Sequence, residues 1–238
     1  MIDLRLGDCL EVMKTIPSKS VDLICCDLPY GTTANKWDSI IDLDLMWKQY
    51  KRIIKPKGNI VLFGVGLFSF KLALSNEKLF RYEMVWKKSK CGSPFTAKYM
   101  PLKKHELLLV FGEGANKYIP QKVDGKPYKR TSKKGTNNMK FGAKAEFEYG
   151  SLDGKRHPST ILDFAQKWRR QDQLHPTQKP LELLKWIVSS FTNEGDLVLD
   201  NAMGSNTTGL ACKELNRNFI GIEKDVDIFN IAKQRIIN

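Results

Sequence analysis

The chain has 238 residues, of which 42% are hydrophobic and 10% are aromatic, and it carries a formal net charge of +13. This composition is typical of a globular protein with a sizeable core and excludes a disordered polyelectrolyte. No run of about 18 apolar residues and no signal-peptide pattern occurs, which argues against a membrane-spanning or secreted protein. The five cysteines lack CxxC spacing and lie mostly in apolar runs, so they predict reduced core thiols in a cytoplasmic protein, without disulfides or a zinc site.

The first 111 residues alternate short apolar runs with longer segments of helical spacing. Strands are predicted at IDLRLGD (2–8), VDLICCD (21–27), NIVLFG (59–64), YEMVWKK (82–88) and HELLLVFG (105–112). Helices are predicted at CLEVMKTIPS (9–18), LDLMWKQYKRII (43–54) and GLFSFKLALSN (66–76), with a break at residues 55–58. This alternation predicts an α/β fold with a doubly wound, mostly parallel sheet.

Periodicity fades between Gly112 and about Gln173, where Gly, Lys, Asn and Pro dominate, which predicts an irregular functional insertion. Order then returns. The expected elements are a helix at PLELLKWIVSSF (180–191), a strand at DLVLD (196–200), a helix at TTGLACKELN (207–216), a strand at NFIGIE (218–223) and a helix at VDIFNIAKQRII (226–237).

The positive charge is concentrated in the middle third of the sequence. Residues 85–175 contain 20 Lys or Arg and 8 Asp or Glu, a net charge of +12, against +2 for residues 1–84 and −1 for residues 176–238. The aromatic side chains interleaved with this charge are Trp86, Phe95, Tyr99, Tyr118, Tyr128, Phe141 and Trp168. Such a combination suits a phosphate backbone and unstacked bases, so nucleic acid is the expected partner and a merely solvated basic surface is the alternative.

Two acids end neighbouring predicted strands near the C-terminus, as in a nucleotide-binding βαβ unit. Asp200 precedes a loop of small residues, in which Gly204 and Ser205 let the backbone approach a ligand, and Glu223 can accept hydrogen bonds from ribose hydroxyls. Neither G-x-G-x-x-G nor GK[ST] is present, which favours an adenosine-containing ligand without phosphates. For this segment taken alone, an ordinary βα turn with two exposed acids is the alternative.

The tetrapeptide Asp27-Leu28-Pro29-Tyr30 follows the apolar run VDLICC, and alone it reads equally well as a turn. It resembles the [DNS]-x-P-[YFW] catalytic motif of amino-methylating DNA methyltransferases. HPTQKP (175–180) and LDNAMGSNTTGLA (199–211) resemble the cofactor motifs of the same enzymes. Their order is that of the β group, which implies a circularly permuted fold of the AdoMet-dependent methyltransferase (Rossmann-like) type. The resemblance implies a catalytic half at 1–111, a target-recognition region at 112–173 and an AdoMet-binding half at 174–238.

The resemblance also implies which residues bind S-adenosyl-L-methionine (AdoMet). They are Asp8, Cys9, Asp27, Thr177, Lys179, Asp200, Ala202, Gly204, Ser205, Thr207 and Glu223. Asp8 and Cys9 would border the adenine, and Lys179 would meet the methionine carboxylate. Family members usually have D-P-F-x-G-S-G-T, and here Asn201, Ala202 and Asn206 replace the Pro, the Phe and the second Gly. The missing Phe leaves an apolar wall to be supplied by another side chain, for which Met203 is a candidate.

The catalytic hypothesis concerns an exocyclic amine, whose lone pair is delocalised into the base. The Asp27 carboxylate and a backbone carbonyl near Leu28 or Pro29 would accept its two N–H bonds, and Tyr30 would provide a flat surface for the base. A base inside a duplex cannot reach such a site, so it must be flipped out or already single-stranded. Within the family an Asp at the first motif position is typical of adenine-N6 enzymes. The alternatives are a cytosine-N4 methyltransferase and a catalytically weak DNA-binding protein on the same scaffold.

DNA, double-stranded or single-stranded, is the expected substrate, in a bacterial or phage modification system. Its predicted contacts are Lys87, Lys88, Lys129, Arg130, Lys133, Lys134, Arg169 and Arg170. The resemblance makes a homodimer plausible. His105 and Glu106 look like a metal pair, but no third ligand is suitably spaced, so we interpret both as structural residues and expect no metal.

Overall fold

The computed structural model describes residues 1–31, 40–92, 94–132, 147–165 and 178–237. These residues form two compact units, one from residues 1–119 and 160–238 and the other from residues 120–159. Within the described ranges, no helix is both long enough and apolar enough to cross a lipid bilayer.

The larger unit is built from strands and helices that alternate along most of the chain. Its strands are β1 (Ile2–Leu6), β2 (Val21–Cys26), β3 (Ile54–Gly64), β4 (Phe80–Lys87), β5 (His105–Phe111), β10 (Ile161–Asp163), β11 (Leu197–Asp200) and β12 (Asn218–Glu223). Its helices are α1 (Cys9–Met13), α2 (Leu43–Ile53), α3 (Leu67–Leu74), α4 (Leu181–Phe191), α5 (Thr207–Glu214) and α6 (Val226–Ile237). The four strands between β5 and β10 belong to the smaller unit.

The strands of the larger unit form one sheet in the order β1-β12-β11-β2-β3-β5-β4-β10. The run from β1 to β3 is parallel throughout, β5 is antiparallel to both β3 and β4, and β10 is parallel to β4. The predicted α/β class with a mostly parallel sheet is therefore confirmed. Parallel strands place their carboxyl ends at one edge of the sheet, and that edge carries Asp27, Asp200 and Glu223.

Helices cover both faces of the sheet, and alternate side chains of β2 therefore pack into two separate cores. Ile24 and Cys26 pack with α1 and α2 on one face, whereas Leu23 and Cys25 pack with α4 and α5 on the other. A strand buried on both faces reads as a continuous apolar run, which is the pattern of VDLICC.

Helix α2 ends at Ile53, in agreement with the predicted break, but residues 55–58 belong to the start of β3, where the register against Val21 and Leu23 shifts and Lys57 has a φ of 67°. One further expectation was wrong. The span 112–173 was expected to be irregular, but it contains paired strands. One of them, β10, extends the main sheet beside β4.

The smaller unit consists of two antiparallel ribbons. One pairs β6 (Val123–Asp124) with β9 (Lys155–Arg156), and the other pairs β7 (Tyr128–Ser132) with β8 (Phe147–Ser151). The guanidinium groups of Arg156 and Arg130 lie 4.2 and 5.6 Å from the ring centroid of Tyr128. Cations over an aromatic face are attracted by its quadrupole, so this unit presents a preorganised basic and aromatic surface.

Candidate active site

The carboxyl edge of the parallel strands holds a cavity of about 480 Å³. A volume in this range suits a cofactor-sized molecule. The cavity is lined by every described residue of the predicted catalytic and cofactor sets: Asp8, Cys9, Asp27, Leu28, Pro29, Tyr30, Lys179, Asp200, Ala202, Gly204, Ser205, Thr207 and Glu223. Thr177 lies outside the described residues. The fold thus brings together segments that are far apart in sequence.

Glu223 is fixed by backbone donors at the end of β12. Its Oε2 accepts from the Gly204 N–H at 3.1 Å, and its Oε1 accepts from the N–H groups of Lys224 and Asp225 at 2.9 and 3.0 Å. Three backbone donors orient the carboxylate, which lines the cavity and can accept a hydrogen bond from a ligand hydroxyl.

Asp200 occupies the matching position at the end of β11, but it is turned inward. It accepts hydrogen bonds from the Thr208 hydroxyl at 2.7 Å and the Ala202 N–H at 3.2 Å. Burial raises the pKa of Asp200 to about 6, with those hydrogen bonds acting in the opposite direction. Asp200 therefore ties the loop to helix α5.

The loop between β11 and α5 shows how this chain accommodates its unusual sequence. Asn206 adopts a left-handed conformation with φ 63° and ψ 40°, which Asn tolerates better than most non-glycine residues, so it can stand where the motif given above has Gly. Met203 is buried and lines the cavity, in agreement with its expected role as a substitute apolar wall. Gly204, with φ 50°, has open space where a Cβ would project, so its backbone faces the cavity.

Arg235 of helix α6 also holds this loop in place through hydrogen bonds. One of its guanidinium nitrogens donates to the Ser205 carbonyl and the Thr207 hydroxyl at 2.8 Å each, and to the Ser205 hydroxyl at 3.2 Å. The hydroxyl groups of Ser205 and Thr207 thus help to keep the loop rigid.

The segment after β1 lies beside Glu223. The Gly7 N–H donates to the Glu223 carbonyl at 2.9 Å, and Asp8 caps helix α1 by accepting from the Leu10 N–H at 2.8 Å. Cys9 is buried, and burial raises the pKa of its thiol. A neutral thiol packs as a small apolar group, so Cys9 contributes shape to the cavity wall.

The Asp27–Tyr30 segment forms another part of the cavity wall. The Tyr30 hydroxyl donates to Oδ1 of Asp27 at 2.5 Å, and the Tyr30 ring lies 4.9 Å from that of Phe68. Burial, reinforced by the adjacent Asp27 carboxylate, raises the pKa of the Tyr30 hydroxyl well above its ordinary value. Tyr30 is therefore a permanent donor to Asp27, and the motif is not an exposed turn.

Lys179 joins this wall to strand β5. Its ammonium pairs with Oδ2 of Asp27, lies 3.3 Å from Oε2 of Glu106, and sits 5.0 Å from the ring centroid of Phe63. Glu106 pairs in turn with Lys88, which places two acids and two cations in alternation along the cavity wall. Lys179, predicted to meet the cofactor carboxylate, pairs with carboxylates of the protein.

The buried charges of Lys179 and Glu106 stabilise each other. Burial lowers the pKa of Lys179, but the Asp27 and Glu106 carboxylates outweigh it and the net shift is upward. Burial likewise raises the pKa of Glu106, but Lys179 and Lys88 outweigh it and the net shift is downward. The neighbouring charges thus keep the buried Lys179 and Glu106 ionised.

Glu106 is the main residue that sequence reasoning missed. It precedes the apolar run of β5, whereas Asp27 follows that of β2, and its place at the active edge depends on β5 running antiparallel, which periodicity does not reveal. Among the described residues no cluster of His, Cys, Asp and Glu that could hold a metal ion is present, and His105 is exposed. Phe63, Trp86 and Leu184 add an apolar lining to the cavity, and Trp86, which the sequence grouped with the aromatic side chains suited to unstacked bases, is fully buried.

The predicted DNA contacts have mixed placements. Lys87 is exposed and pairs with Asp163 at 2.6 Å, whereas Lys88 is directed to Glu106. Lys129 and Arg130 are exposed on the smaller unit. Four further residues lie outside the described ranges: Lys133, Lys134, Arg169 and Arg170.

Known proteins are similar to this chain over nearly its whole length. A sequence profile of the DNA methylase family with N6 and N4 specificities matches residues 21–234. The chain is 29% identical to the type II methyltransferase M.HpaI of Haemophilus parainfluenzae, over 99% of this chain and 74% of that protein. It is also 29% identical to the DNA adenine methyltransferase YhdJ of Escherichia coli (strain K12), over 97% of this chain and 81% of that protein.

Solved structures agree with this match. The crystal structure of the M1.HpyAVI–SAM complex has a TM-score of 0.69 at 27% identity, over 99% of both chains. The cytosine-N4-specific PvuII DNA methyltransferase has a TM-score of 0.70 at 18% identity, over 100% of this chain and 86% of that chain, a likeness that shows the fold. The chain therefore belongs to the N6/N4 family of AdoMet-dependent DNA methyltransferases.

Proposed function

We propose that this protein transfers a methyl group to adenine N6 in DNA, on a base held outside the helix, within a bacterial or phage modification system. The observation that carries the proposal is the shared cavity: the Asp27 carboxylate lines the same space as Gly204 and Glu223. Methyl transfer to a base requires a group that accepts the target amine and a site that binds the nucleoside of the methyl donor. Both must lie in one cavity.

The residues around the cavity fit AdoMet. Glu223 would accept the ribose hydroxyls, and the open backbone at Gly204 would allow close approach, while Asp8, Cys9 and Met203 would border the adenine and the apolar part of the pocket. When bound, AdoMet supplies an electrophilic methyl group on its sulfonium. The proposed contact between Lys179 and the methionine carboxylate requires the Lys179 ammonium to be shared with Asp27 and Glu106.

The chain's own contribution to the chemistry centres on Asp27. Its carboxylate and a backbone carbonyl near Leu28 or Pro29 would accept the two N–H bonds of the target amine, which draws electron density toward the amine nitrogen. The same carboxylate would take the proton that the amine sheds. The donors already present, Tyr30 and Lys179, hold this carboxylate in place and fix its lone pairs before the substrate arrives.

The target base must reach a cavity inside the larger unit. A base paired in a duplex is out of reach, so extrusion of the nucleotide is part of the proposal, as for other enzymes that act on base atoms. We assign target recognition to residues 112–173. Within the smaller unit, Tyr128 and the neighbouring Arg130 and Arg156 would supply stacking and phosphate contacts.

Two arguments favour adenine over cytosine. Asp is typical of adenine enzymes at the position of Asp27, and the Escherichia coli relative at 29% identity is a DNA adenine methyltransferase. The type II relatives support a restriction-modification context.

The test is nucleoside analysis of DNA from cells that express the protein. Digestion followed by mass spectrometry should detect N6-methyldeoxyadenosine, and sequencing that maps modified bases should place it in one recognition site. Cells that express Asp27→Asn are the control and should lack the modification. Detection of N4-methyldeoxycytidine alone would overturn the adenine assignment but keep the family reaction, whereas an unmodified genome together with absent AdoMet binding would overturn the enzyme itself.

A further inference from the structure

The connection between strands β4 and β5 stands at the rim of the active-site cavity. It runs over residues 88–104, of which 88–92 and 94–104 are described. Because β4 ends and β5 begins at the carboxyl edge of the parallel strands, both stems of this β4–β5 loop lie beside the site. Lys88 and Glu106, at those stems, line the cavity itself.

Backbone hydrogen bonds fix the shape of the β4–β5 loop. The Lys88 N–H donates to the Lys104 carbonyl at 2.9 Å and the Gly92 N–H donates to the Lys103 carbonyl at 2.8 Å, which closes the base of the loop. Near the tip, the N–H groups of Tyr99 and Met100 donate to the Thr96 carbonyl at 2.9 and 3.0 Å, forming a turn of helix. The side chains at the tip are therefore presented by an ordered scaffold.

Large apolar side chains project from that tip into solvent. Phe95 and Tyr99 are each 87% exposed, and Met100 is 59% exposed. Most aromatic rings in globular proteins bury a large area, so two nearly bare rings within one turn indicate a surface that binds something.

The charge of the β4–β5 loop identifies the partner. Residues 88–104 contain five lysines and no acid. Lys88 is taken up by Glu106, whereas Lys90, Lys98, Lys103 and Lys104 are exposed, and none of these four forms an ion pair with an acid in the described part of the chain. Bare aromatic rings surrounded by cations complement a polyanion with planar groups, which is a nucleic acid with accessible bases.

We propose that the β4–β5 loop is a second DNA-contacting element, in which Phe95 and Tyr99 stack on bases beside the extruded nucleotide while the four exposed lysines meet phosphates. This inference rests on the proposed function and deepens it. It places a contact to the distorted part of the DNA next to the chemistry, in a segment separate from the target-recognition region at 112–173. Side chains of this kind stabilise unstacked steps in DNA that has been opened.

The test compares DNA binding and base extrusion in loop variants of the full-length protein. The probe is a duplex with a site that the wild-type protein methylates, carrying 2-aminopurine at the target position. The double variant Phe95→Ala/Tyr99→Ala should bind this duplex about 10-fold or more weakly and lose most of the fluorescence rise that reports extrusion. Lys98→Ala/Lys103→Ala should reduce the slope of log affinity against log salt by about 2.

Matched controls come from the opposite edge of the sheet. Tyr82→Ala and Lys78→Ala remove an exposed aromatic ring and an exposed cation near the start of β4, away from the cavity, and both should bind and open the duplex as the wild type does. Because the aromatic rings at the loop tip are exposed, the double variant should unfold at the wild-type temperature and bind AdoMet normally.

The outcomes separate this inference from the proposed function. Wild-type methylation with unchanged DNA affinity and fluorescence in the Phe95→Ala/Tyr99→Ala variant would overturn the loop assignment and leave the enzyme intact. A variant that changes only the molar mass in sedimentation, with DNA binding retained, would reassign the β4–β5 loop to contacts between protein chains and so overturn the proposal as well. If the wild type methylates no DNA, the failure lies with the proposed function.

Discussion

The ammonium of Lys179 pairs with the carboxylate of Asp27, a residue 152 positions earlier in the chain. Both lie at the carboxyl edge of the sheet, Asp27 directly after β2 and Lys179 two residues before α4. The pair links the proposed catalytic motif to the HPTQKP segment and, through Glu106, to strand β5. Ion pairs thus connect three distant segments of the chain at one wall of the cavity.

Replacing Asp27 should stop methyl transfer without unfolding the protein. Asp27→Asn keeps the size of the side chain but removes the charge that accepts the amine proton, so the single-turnover rate should fall at least about 100-fold. AdoMet should still bind in a calorimetric titration. Asp44→Asn, at an exposed position of α2, is the control and should retain full activity. Retained activity in Asp27→Asn would contradict the proposed role.

Removing only the Tyr30 hydroxyl should slow the reaction moderately. Tyr30→Phe keeps the ring against Phe68 but deletes the 2.5 Å donor to Asp27, and a hydrogen bond to a charged acceptor corresponds to about a tenfold change in rate. We expect this loss in kcat, with KM for DNA unchanged. Tyr82→Phe, at an exposed position of strand β4, should have no effect, and an equal loss in both variants would point to a general structural cause.

The pairing of Lys179 and Glu106 should appear in a double-mutant cycle. Lys179→Met leaves two acids without their shared cation, which should lower the free energy of unfolding by about 3 to 5 kcal/mol. The double variant Lys179→Met/Glu106→Gln should be destabilised by less than the sum of the single changes, in urea titrations at neutral pH. Lys185→Met breaks only surface pairs with Glu182 and Glu214 and should cost less than about 1 kcal/mol. Strict additivity would contradict the coupling.

Glu223 should control cofactor affinity rather than the chemical step. Glu223→Gln removes the charge that three backbone N–H groups orient, so the Kd of AdoMet should rise about tenfold or more. The methylation rate at saturating AdoMet should change much less than the Kd. Glu194→Gln, at an exposed position, serves as the comparison. A wild-type Kd in Glu223→Gln would remove Glu223 from the cofactor site.

Asp200 should make stability depend on pH. Its pKa is raised from 3.8 to about 6, so the folded protein binds this proton more tightly than the unfolded chain does. Its contribution to the free energy of unfolding therefore falls as the pH rises from about 4 to about 6 and is constant above that. Relative to wild type, Asp200→Asn should gain up to about 3 kcal/mol between pH 4 and pH 7, measured by urea titration across that range. A difference that does not vary with pH would contradict the raised pKa.

The sequence by itself determined the fold class and most of the cavity. Alternating strand and helix patterns, and acids placed directly after apolar runs, are local signals, and parallel pairing brings such acids to one edge. Asp200 and Glu223 could therefore be assigned to one site from the strand ends, and the resemblance to amino-methylating DNA methyltransferases added Asp27 to it. The left-handed Asn206 occupies a position that the motif marks as unusual, and the buried Met203 is the candidate named to replace the missing Phe.

Only the tertiary structure decided which charges meet. The antiparallel direction of β5 brings Glu106 to the active edge, and the packing of the segment before α4 directs Lys179 to Asp27. Neither contact leaves a periodic signal, because each joins residues from distant parts of the chain through strand direction and side-chain geometry. The exposure of Phe95 and Tyr99 is likewise a tertiary property, since an aromatic residue in a sequence does not reveal whether a core exists to cover it.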